Sequence, residues 1–315
     1  MNGAGRAIAP NAGALDPDPS VSAVLDRLRE RLIFDTYRTA AFAAQHLPES
    51  VLPAVGRIGG RLGGLPQRKN RAMAGRHQRR VAGANAVDAN AVFEHYGRYW
   101  LEILRLPADI RKGVISDHWS IDGFDQIEAA LARGRGAILA LPHLGGWEWA
   151  AAWVGEQGHR MLAVVEALEP PALLEWFQDQ RETMGLEVVA LGPDVSSRVL
   201  RALRDNRIVC LLSDRDLTGD GVEVEFFGER TTLPGGPATL ALRTGAALFP
   251  AAVYFTPGRG HEAVVRPPLA VHREGRLRDD VARITQALAK EFEVLISAHP
   301  EQWHLLQPNW PSDRE

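Results

Sequence analysis

The stretch Gly136-Ala-Ile-Leu-Ala-Leu-Pro-His143-Leu-Gly-Gly-Trp-Glu148 lies near the middle of the 315-residue chain, and the other segments are arranged around it. Its apolar run at 137–141 predicts a buried strand, which Pro142 ends because proline has no N–H for a neighbouring strand. Two glycines then permit a tight turn, and the apolar residues that follow predict a helix with Glu148 in its first turn. The sequence therefore places His143 at the carboxyl end of a strand, where open α/β sheets bind ligands.

Short apolar runs alternate with helical patterns through the second half of the chain, which indicates a parallel sheet. We predict an α/β fold, a central and mostly parallel sheet flanked by helices, with an N-terminal helical layer at about 21–106. Residues 1–20 are predicted to be a disordered tail and 21–315 a single domain. The predicted helices are 21–45, 49–62 (running into a glycine-rich break at 59–64), 86–106, 122–133, 147–154, 171–184, 195–206, 237–244 and 278–299, and the predicted strands are 137–141, 161–165, 186–191, 208–212, 222–228, 246–255 and 262–267.

Composition excludes several classes of protein. The net charge of −3 gives no general attraction to nucleic acid, and the single cysteine, Cys210, excludes an internal disulfide. The sequence contains no apolar stretch long enough to span a bilayer. It also lacks the motifs of serine hydrolases, zinc hydrolases, phosphate loops and dinucleotide folds, so we predict neither a metal nor a cofactor.

One segment departs from this overall acidity. No acidic residue occurs between Glu49 and Asp88, where the chain is rich in arginine. One interpretation is an ordinary solvated helix face. The other interpretation is a patch that binds anionic lipid headgroups, in which each basic residue contributes about 1 kcal/mol of binding free energy. This second interpretation predicts a peripheral membrane protein. The basic residues are Arg57, Arg61, Arg68, Lys69, Arg71, Arg76, Arg79 and Arg80.

His143 is the candidate general base. A strand end, two adjacent glycines and the start of a helix form the arrangement expected for a base beside an oxyanion site. No motif for a protein nucleophile accompanies it. We therefore predict direct transfer, in which His143 activates a hydroxyl of the substrate without an acyl-enzyme intermediate.

Three separated motifs carry a resemblance to a known family. They are Pro142-His-Leu-Gly-Gly-Trp-Glu148, Ser213-Asp-Arg-Asp216 followed by Gly221-Val-Glu-Val-Glu-Phe-Phe-Gly228, and Pro300-Glu-Gln-Trp-His-Leu-Leu-Gln-Pro308. Together they resemble the actinobacterial phosphatidylinositol mannoside acyltransferases. This branch of the lysophospholipid acyltransferase superfamily is related to the lipid A lauroyl and myristoyl acyltransferases. Gly146 stands where the lipid A branch usually has asparagine, which disfavours a lipid A substrate.

The resemblance implies a glycerolphosphate acyltransferase-like fold and transfer of a palmitoyl-type chain from acyl-CoA, as co-substrate, to a mannose 6-hydroxyl of phosphatidylinositol mannosides. The expected location is the cytoplasmic face of the plasma membrane, on an anionic surface, with no obligate protein partner. A lipid A-type or lysophospholipid acyltransferase, or a non-catalytic lipid-binding protein, is the alternative.

The partner of His143 is left between two carboxylates. Glu148 has the spacing of the HX4E motif, whereas Glu223 matches the expectation for the mannoside branch; we favour Glu223 and assign Glu148 a supporting role. Amides around Gly145 and Gly146 are candidates to stabilise the oxyanion. Other residues at or near predicted strand ends are expected to bind substrate: Glu166, Arg181, Asp214, Arg215 and Asp216.

Overall fold

Short apolar runs form the strands of the computed structural model, which describes residues 19–166, 170–182 and 184–314. The predicted strand pattern is confirmed, with two additions at 119–122 and 229–233. The strands are β1 Trp119–Asp122, β2 Ala137–Leu141, β3 Met161–Val165, β4 Leu186–Ala190, β5 Ile208–Leu212, β6 Val222–Phe226, β7 Glu229–Leu233, β8 Ala247–Phe255 and β9 His261–Val265.

Among the described residues, seven strands form one sheet in the order β1-β9-β8-β2-β5-β3-β4. Strands β8, β2, β5, β3 and β4 are parallel, whereas β9 runs antiparallel to β8 and pairs in parallel with β1. The remaining strands, β6 and β7, form a separate antiparallel hairpin. The central strand β2 is buried at all of its positions, as its continuous apolar run predicts.

Helices cover both faces of this sheet, which confirms the predicted α/β class. One apolar core lies under α8, α9 and α10, and a second lies between the other face and α4, α5 and α6. The helices are α1 Pro19–His46, α2 Leu52–Gly64, α3 Arg68–Ala82, α4 Ala89–Lys112, α5 Phe124–Leu131, α6 Trp147–Glu156, α7 Pro171–Glu182, α8 Val195–Arg204, α9 Gly236–Thr244 and α10 Leu277–Ala298.

The N-terminal helical layer differs from its prediction at 59–64. These glycines do not break α2, which continues to Gly64 because small residues let it pack closely on α4. A Cβ atom on Gly60 would lie 2.0 Å from the Phe93 carbonyl oxygen, and one on Gly97 would lie 2.4 Å from the Gly60 Cα. Gly60 and Gly64 therefore lie on a helix-packing surface of a continuous helix, whereas Gly59 and Gly63 face open space.

The predicted tail at 1–20 lies almost wholly outside the described residues, and α1 begins at Pro19. Helix α3 lies in the basic segment, for which no helix bounds were predicted from the sequence. Within the described ranges, no helix combines the length and the apolar character needed to cross a bilayer.

Candidate active site

Two neighbouring strands carry a histidine and an aspartate to the same point. Strands β2 and β5 pair in parallel with Leu141 opposite Leu212. The segments that follow these two residues therefore leave the sheet next to each other. His143 follows the end of β2 and Asp214 follows the end of β5. The register of the sheet thus brings these two side chains together at its carboxyl edge.

His143 and Asp214 are joined by a hydrogen bond of 2.6 Å between Nδ1 and Oδ1. The other carboxylate oxygen, Oδ2, accepts from the His143 amide at 3.0 Å and from the indole Nε1 of Trp303 at 2.7 Å. Burial of Asp214 opposes its charged form, but the His143 imidazole and these hydrogen bonds outweigh it and lower the pKa of the carboxyl below its ordinary value. Asp214 is therefore an anion at neutral pH.

The charge on Asp214 fixes the tautomer of His143. An ionised carboxylate only accepts hydrogen bonds, so in the neutral imidazole Nδ1 of His143 carries the proton and Nε2 keeps its lone pair. The His143 side chain is 33% exposed and lines a cavity of about 520 Å³. With this geometry His143 can act as a general base whose orientation is held by a buried carboxylate.

The cavity lies across the carboxyl edge of the sheet and has mostly apolar walls. Helices α4, α6 and α7 supply aromatic rings on one side, and α8 and α9 supply aliphatic side chains on the other. Charged groups also line it. The aromatic lining is Tyr96, Tyr99, Trp100, Trp147 and Phe177, the aliphatic residues of α8 and α9 include Val195, Val199 and Leu240, and the charged residues are Glu148, Glu166, Arg181, Arg215 and Arg243.

Glu148 lies in the cavity wall, but its partners are not His143. Its Oε1 accepts from the Tyr99 hydroxyl at 3.1 Å and from Arg181 Nη2 at 3.0 Å. Burial raises the pKa of Glu148, although the charge of Arg181 opposes this. The first turn of α6 directs Glu148 toward α4 and α7, so this carboxylate joins three helices beside the base.

Glu223, the partner favoured from the sequence, is not brought to His143. Alternation along β6 turns Val224 and Phe226 inward and Glu223 outward. The Glu223 side chain is 69% exposed and forms an ion pair of 3.2 Å with Arg230 on the same hairpin. The prediction of a His143–Glu223 contact is therefore wrong, and Asp214, expected to bind substrate, occupies that place.

Glu166 and Arg215 border the cavity, as predicted from their strand ends. Arg215 Nη2 donates to Glu166 at 2.7 Å, because β3 lies next to β5. Asp216, in contrast, accepts from the amides of Gly219 and Gly221 at 2.9 Å each and shapes its own loop instead of the cavity wall. Binding of substrate by Glu166 and Arg215 stays a prediction.

The glycines after His143 serve close packing. Gly145 has φ +58°, and a Cβ atom there would lie 1.8 Å from the Val253 carbonyl oxygen, so only glycine fits. Its amide donates to the Gln302 carbonyl at 3.1 Å and is not free to bind an oxyanion, so the expectation is wrong for Gly145 and stays a prediction for Gly146. A Cβ on Gly146 would lie 2.9 Å from the ring of Phe255.

Part of the basic segment is used inside the molecule. Arg80 contacts Glu229 at 3.0 Å and Asp313 at 3.3 Å, and Arg71 donates to Asn90 at 2.6 Å. These arginines connect α3 to the hairpin, the C-terminus and α4, so the segment is not a continuous lipid-facing patch. The exposed basic residues of the segment are Arg61, Arg68, Lys69, Arg76 and Arg79, of which Arg61 donates to Glu94 at 3.3 Å and Arg76 to the Asp313 carbonyl at 3.2 Å.

Trp303 is the site residue that sequence reasoning missed. It lies 89 positions from Asp214 in the chain, and its indole nonetheless donates to that carboxylate. Its presence in the motif at 300–308 was the available signal. Cys210, predicted to be a core residue, is buried, and burial raises its thiol pKa to about 12, so it is inert.

The α/β fold thus places a histidine–aspartate pair beside a largely apolar cavity. The family model described as bacterial lipid A biosynthesis acyltransferase matches residues 31–312, and the chain belongs to this acyltransferase family. Proteins named phosphatidylinositol mannoside acyltransferase are similar to it. Those of two Mycobacterium tuberculosis strains, CDC 1551 / Oshkosh and ATCC 25618 / H37Rv, are 48% identical over 227 residues, covering 71% of this chain and 70% of theirs.

A third relative of that name, from Mycolicibacterium smegmatis (strain ATCC 700084 / mc(2)155), is 39% identical over 285 residues, or 88% of this chain and 90% of its own. The resemblance inferred from the three motifs is thereby confirmed.

Proposed function

We propose that this acyltransferase moves a palmitoyl-type chain from acyl-CoA to the mannose 6-hydroxyl of phosphatidylinositol mannosides. The acceptor is suggested by the names of the relatives. The observation that carries the chemistry is the His143–Asp214 pair at the mouth of a largely apolar cavity. Acyl-CoA is a co-substrate, and the proposed reaction uses no cofactor.

In this mechanism Nε2 of His143 takes the proton of the sugar hydroxyl as its oxygen attacks the thioester carbonyl. Asp214 stabilises the imidazolium that forms. Collapse of the tetrahedral intermediate breaks the carbon–sulfur bond, and the imidazolium returns its proton to the leaving thiolate. The products are an ester and the free thiol of coenzyme A, and no bond to the protein forms.

The tetrahedral oxyanion needs stabilisation, for which we propose the N-terminus of α6. This helix begins at Trp147 on the cavity wall, beside His143. Helix N-termini carry partial positive charge and N–H groups without intrahelical acceptors. This assignment replaces the amide of Gly145, which the Gln302 carbonyl occupies.

Cavity residues divide into three proposed roles. The aromatic and aliphatic walls suit the acyl chain, since each buried methylene contributes about 0.8 kcal/mol. Arg181, Arg215 and Arg243 suit phosphates of coenzyme A or of the lipid. The exposed carboxylate of Glu166 suits the sugar hydroxyls.

We also propose that the protein works on the cytoplasmic face of the plasma membrane, held there by α1 and α2. Large apolar side chains on these helices are exposed, including Leu28 at 58%, Leu32 at 69%, Ile58 at 60% and Leu62 at 59%. An exposed apolar surface flanked by arginine and lysine is typical of helices that lie in a lipid interface.

Activity is tested by offering palmitoyl-CoA to the purified protein with phosphatidylinositol mannosides or with lysophospholipids, and measuring thiol release and the acylated lipid. Mannoside-dependent release is expected. Preference for lysophospholipid would favour the rival acyltransferase class, and tight lipid binding without any product would favour a non-catalytic lipid-binding protein.

Membrane attachment is tested by liposome sedimentation of a variant with Leu28, Leu32, Ile58 and Leu62 changed to serine. It should lose binding to all vesicles. The matched variant Arg68→Gln/Lys69→Gln should lose only the preference for anionic vesicles, because its apolar surface is intact. Unchanged sedimentation of the serine variant would reject this attachment.

A further inference from the structure

The chain after α10 returns across the carboxyl edge of the sheet. We call residues 299–314 the C-terminal strap. Near its start, the Gln302 carbonyl accepts from the Gly145 amide at 3.1 Å, and the Gln302 side chain bonds both backbone groups of Phe255, at 2.7 and 3.0 Å. A bridge between Leu144 and Trp303 continues this contact. The strap therefore runs directly beside the segment that carries His143.

Three further hydrogen bonds join the strap to the catalytic pair. The Trp303 indole donates to Asp214 Oδ2 at 2.7 Å, and the Asn309 amide nitrogen Nδ2 donates to the Asp214 carbonyl at 3.1 Å. The His304 amide donates to the His143 carbonyl at 2.8 Å. Both members of the pair are thus held by the strap as well as by their own strands.

We propose that Trp303 is a positioning residue for the reaction, acting through Asp214; this inference rests on the proposed function of His143 as base. Two N–H donors, from Trp303 and the His143 amide, occupy Oδ2 of the buried carboxylate. Oδ1 is left to the imidazole, in one orientation. Without the indole N–H, Oδ2 loses one donor and the carboxylate is free to rotate away from that orientation.

The far end of the strap is anchored to α3, which keeps the indole in place. Nε2 of buried His77 lies 3.1 Å from a carboxylate oxygen of Asp313, and its Nδ1 lies 3.0 Å from the Leu305 carbonyl oxygen. Arg80 adds a contact to Asp313 at 3.3 Å. The Trp303 ring packs on His77 with ring centroids 5.5 Å apart.

The test compares Trp303→Phe with Trp310→Phe. Both tryptophans are 1% exposed, and each loses one indole hydrogen bond, but Trp310 donates to the Phe226 carbonyl at 3.1 Å and not to Asp214. With palmitoyl-CoA and phosphatidylinositol mannoside, Trp303→Phe should lower kcat about tenfold or more with KM within about twofold. Trp310→Phe should lose similar thermal stability and keep kcat.

A measurement independent of activity accompanies it: the downfield proton NMR resonance of His143 Nδ1–H, assigned by its loss in His143→Gln. It should shift or broaden in Trp303→Phe and not in Trp310→Phe. Should Trp303→Phe not fold, benzothienylalanine at position 303, which keeps the two-ring shape without the N–H, replaces it. An unchanged resonance and kcat, or equal losses in Trp310→Phe, would overturn the inference. Failure of the wild type to acylate any acceptor would count against the proposed function instead.

Discussion

Replacement of Asp214 by asparagine tests which carboxylate acts with His143. The structure indicates Asp214, whereas the sequence favoured Glu223. The Oδ2 position accepts two N–H donors, so the amide oxygen of the introduced side chain should occupy it. The NH2 group would then face His143 Nδ1. Because an amide nitrogen only donates, Nδ1 becomes an acceptor, and the proton of the imidazole moves to Nε2. His143 would then have no lone pair toward the substrate.

The magnitude follows from this change of tautomer. In a Ser-His-Asp catalytic triad, replacing the aspartate by asparagine leaves the geometry intact and lowers kcat by about 10⁴. We expect a decrease of about three to four orders of magnitude for Asp214→Asn, which corresponds to about 4 to 5.5 kcal/mol of transition-state stabilisation. The KM for acyl-CoA should change little, because Asp214 is buried behind the base and has no access to the cavity.

The stability of the variant provides a second prediction from the same site. The pKa of Asp214 is lowered in the folded protein, so its charge contributes stability above the unfolded pKa of about 3.9, and this contribution is lost as pH falls through the folded value. Asp214→Asn should therefore be less stable than the wild type at pH 7, and the two should converge in acid.

The assay is thiol release from palmitoyl-CoA with mannoside acceptor, with Glu223→Gln as the control. Exposed Glu223 contacts Arg230 only at the surface, so its variant should retain wild-type kcat. If Glu223→Gln loses activity while Asp214→Asn retains it, the reasoning from the structure is refuted.

Three other predictions concern the surroundings of the pair. Glu148→Gln leaves buried Arg181 without its charge partner, so we expect the free energy of unfolding, measured by chemical denaturation, to fall by about 3 kcal/mol. Its kcat should fall less than that of Asp214→Asn. An unchanged denaturation midpoint would contradict this prediction. Gly60→Ala should destabilise by about 1 to 3 kcal/mol, whereas Gly59→Ala, with open space at its Cβ, should be neutral or stabilising, and equal effects in thermal melts would count against helix packing. Burial lowers the pKa of His95 to about 4, so the unfolded chain binds the extra proton below pH 6.5. Through His95, lowering the pH from 7 to 5 should decrease the free energy of unfolding by about 2 kcal/mol, and His95→Phe should not show this decrease. Urea unfolding of both proteins at both pH values measures it, and an equal change in the free energy of unfolding between the two proteins would refute it.

Much of the fold was predictable because hydrophobic pattern and local conformation are properties of short segments. The strand at 137–141, its end at Pro142 and the helix from Trp147 are all confirmed. The prediction of a break at 59–64 is wrong, although glycines in a row usually interrupt a helix. The helix continues through these glycines because Gly60 and Gly64 contact α4, which follows later in the chain. A local sequence pattern gives no information about such a contact.

The sequence by itself determined that His143 lies at a strand end beside a helix start, since an apolar run, a proline and glycines are sufficient for that. Only the tertiary structure decided which carboxylate meets it. Asp214, Glu148 and Glu223 were all candidates for the cavity, and the choice depends on strand order: β5 pairs with β2, α6 turns Glu148 toward Arg181, and the β6–β7 hairpin leaves the sheet. Strand order is set by packing of the whole chain. The carboxylate that meets His143 can therefore be identified only once the sheet is assembled.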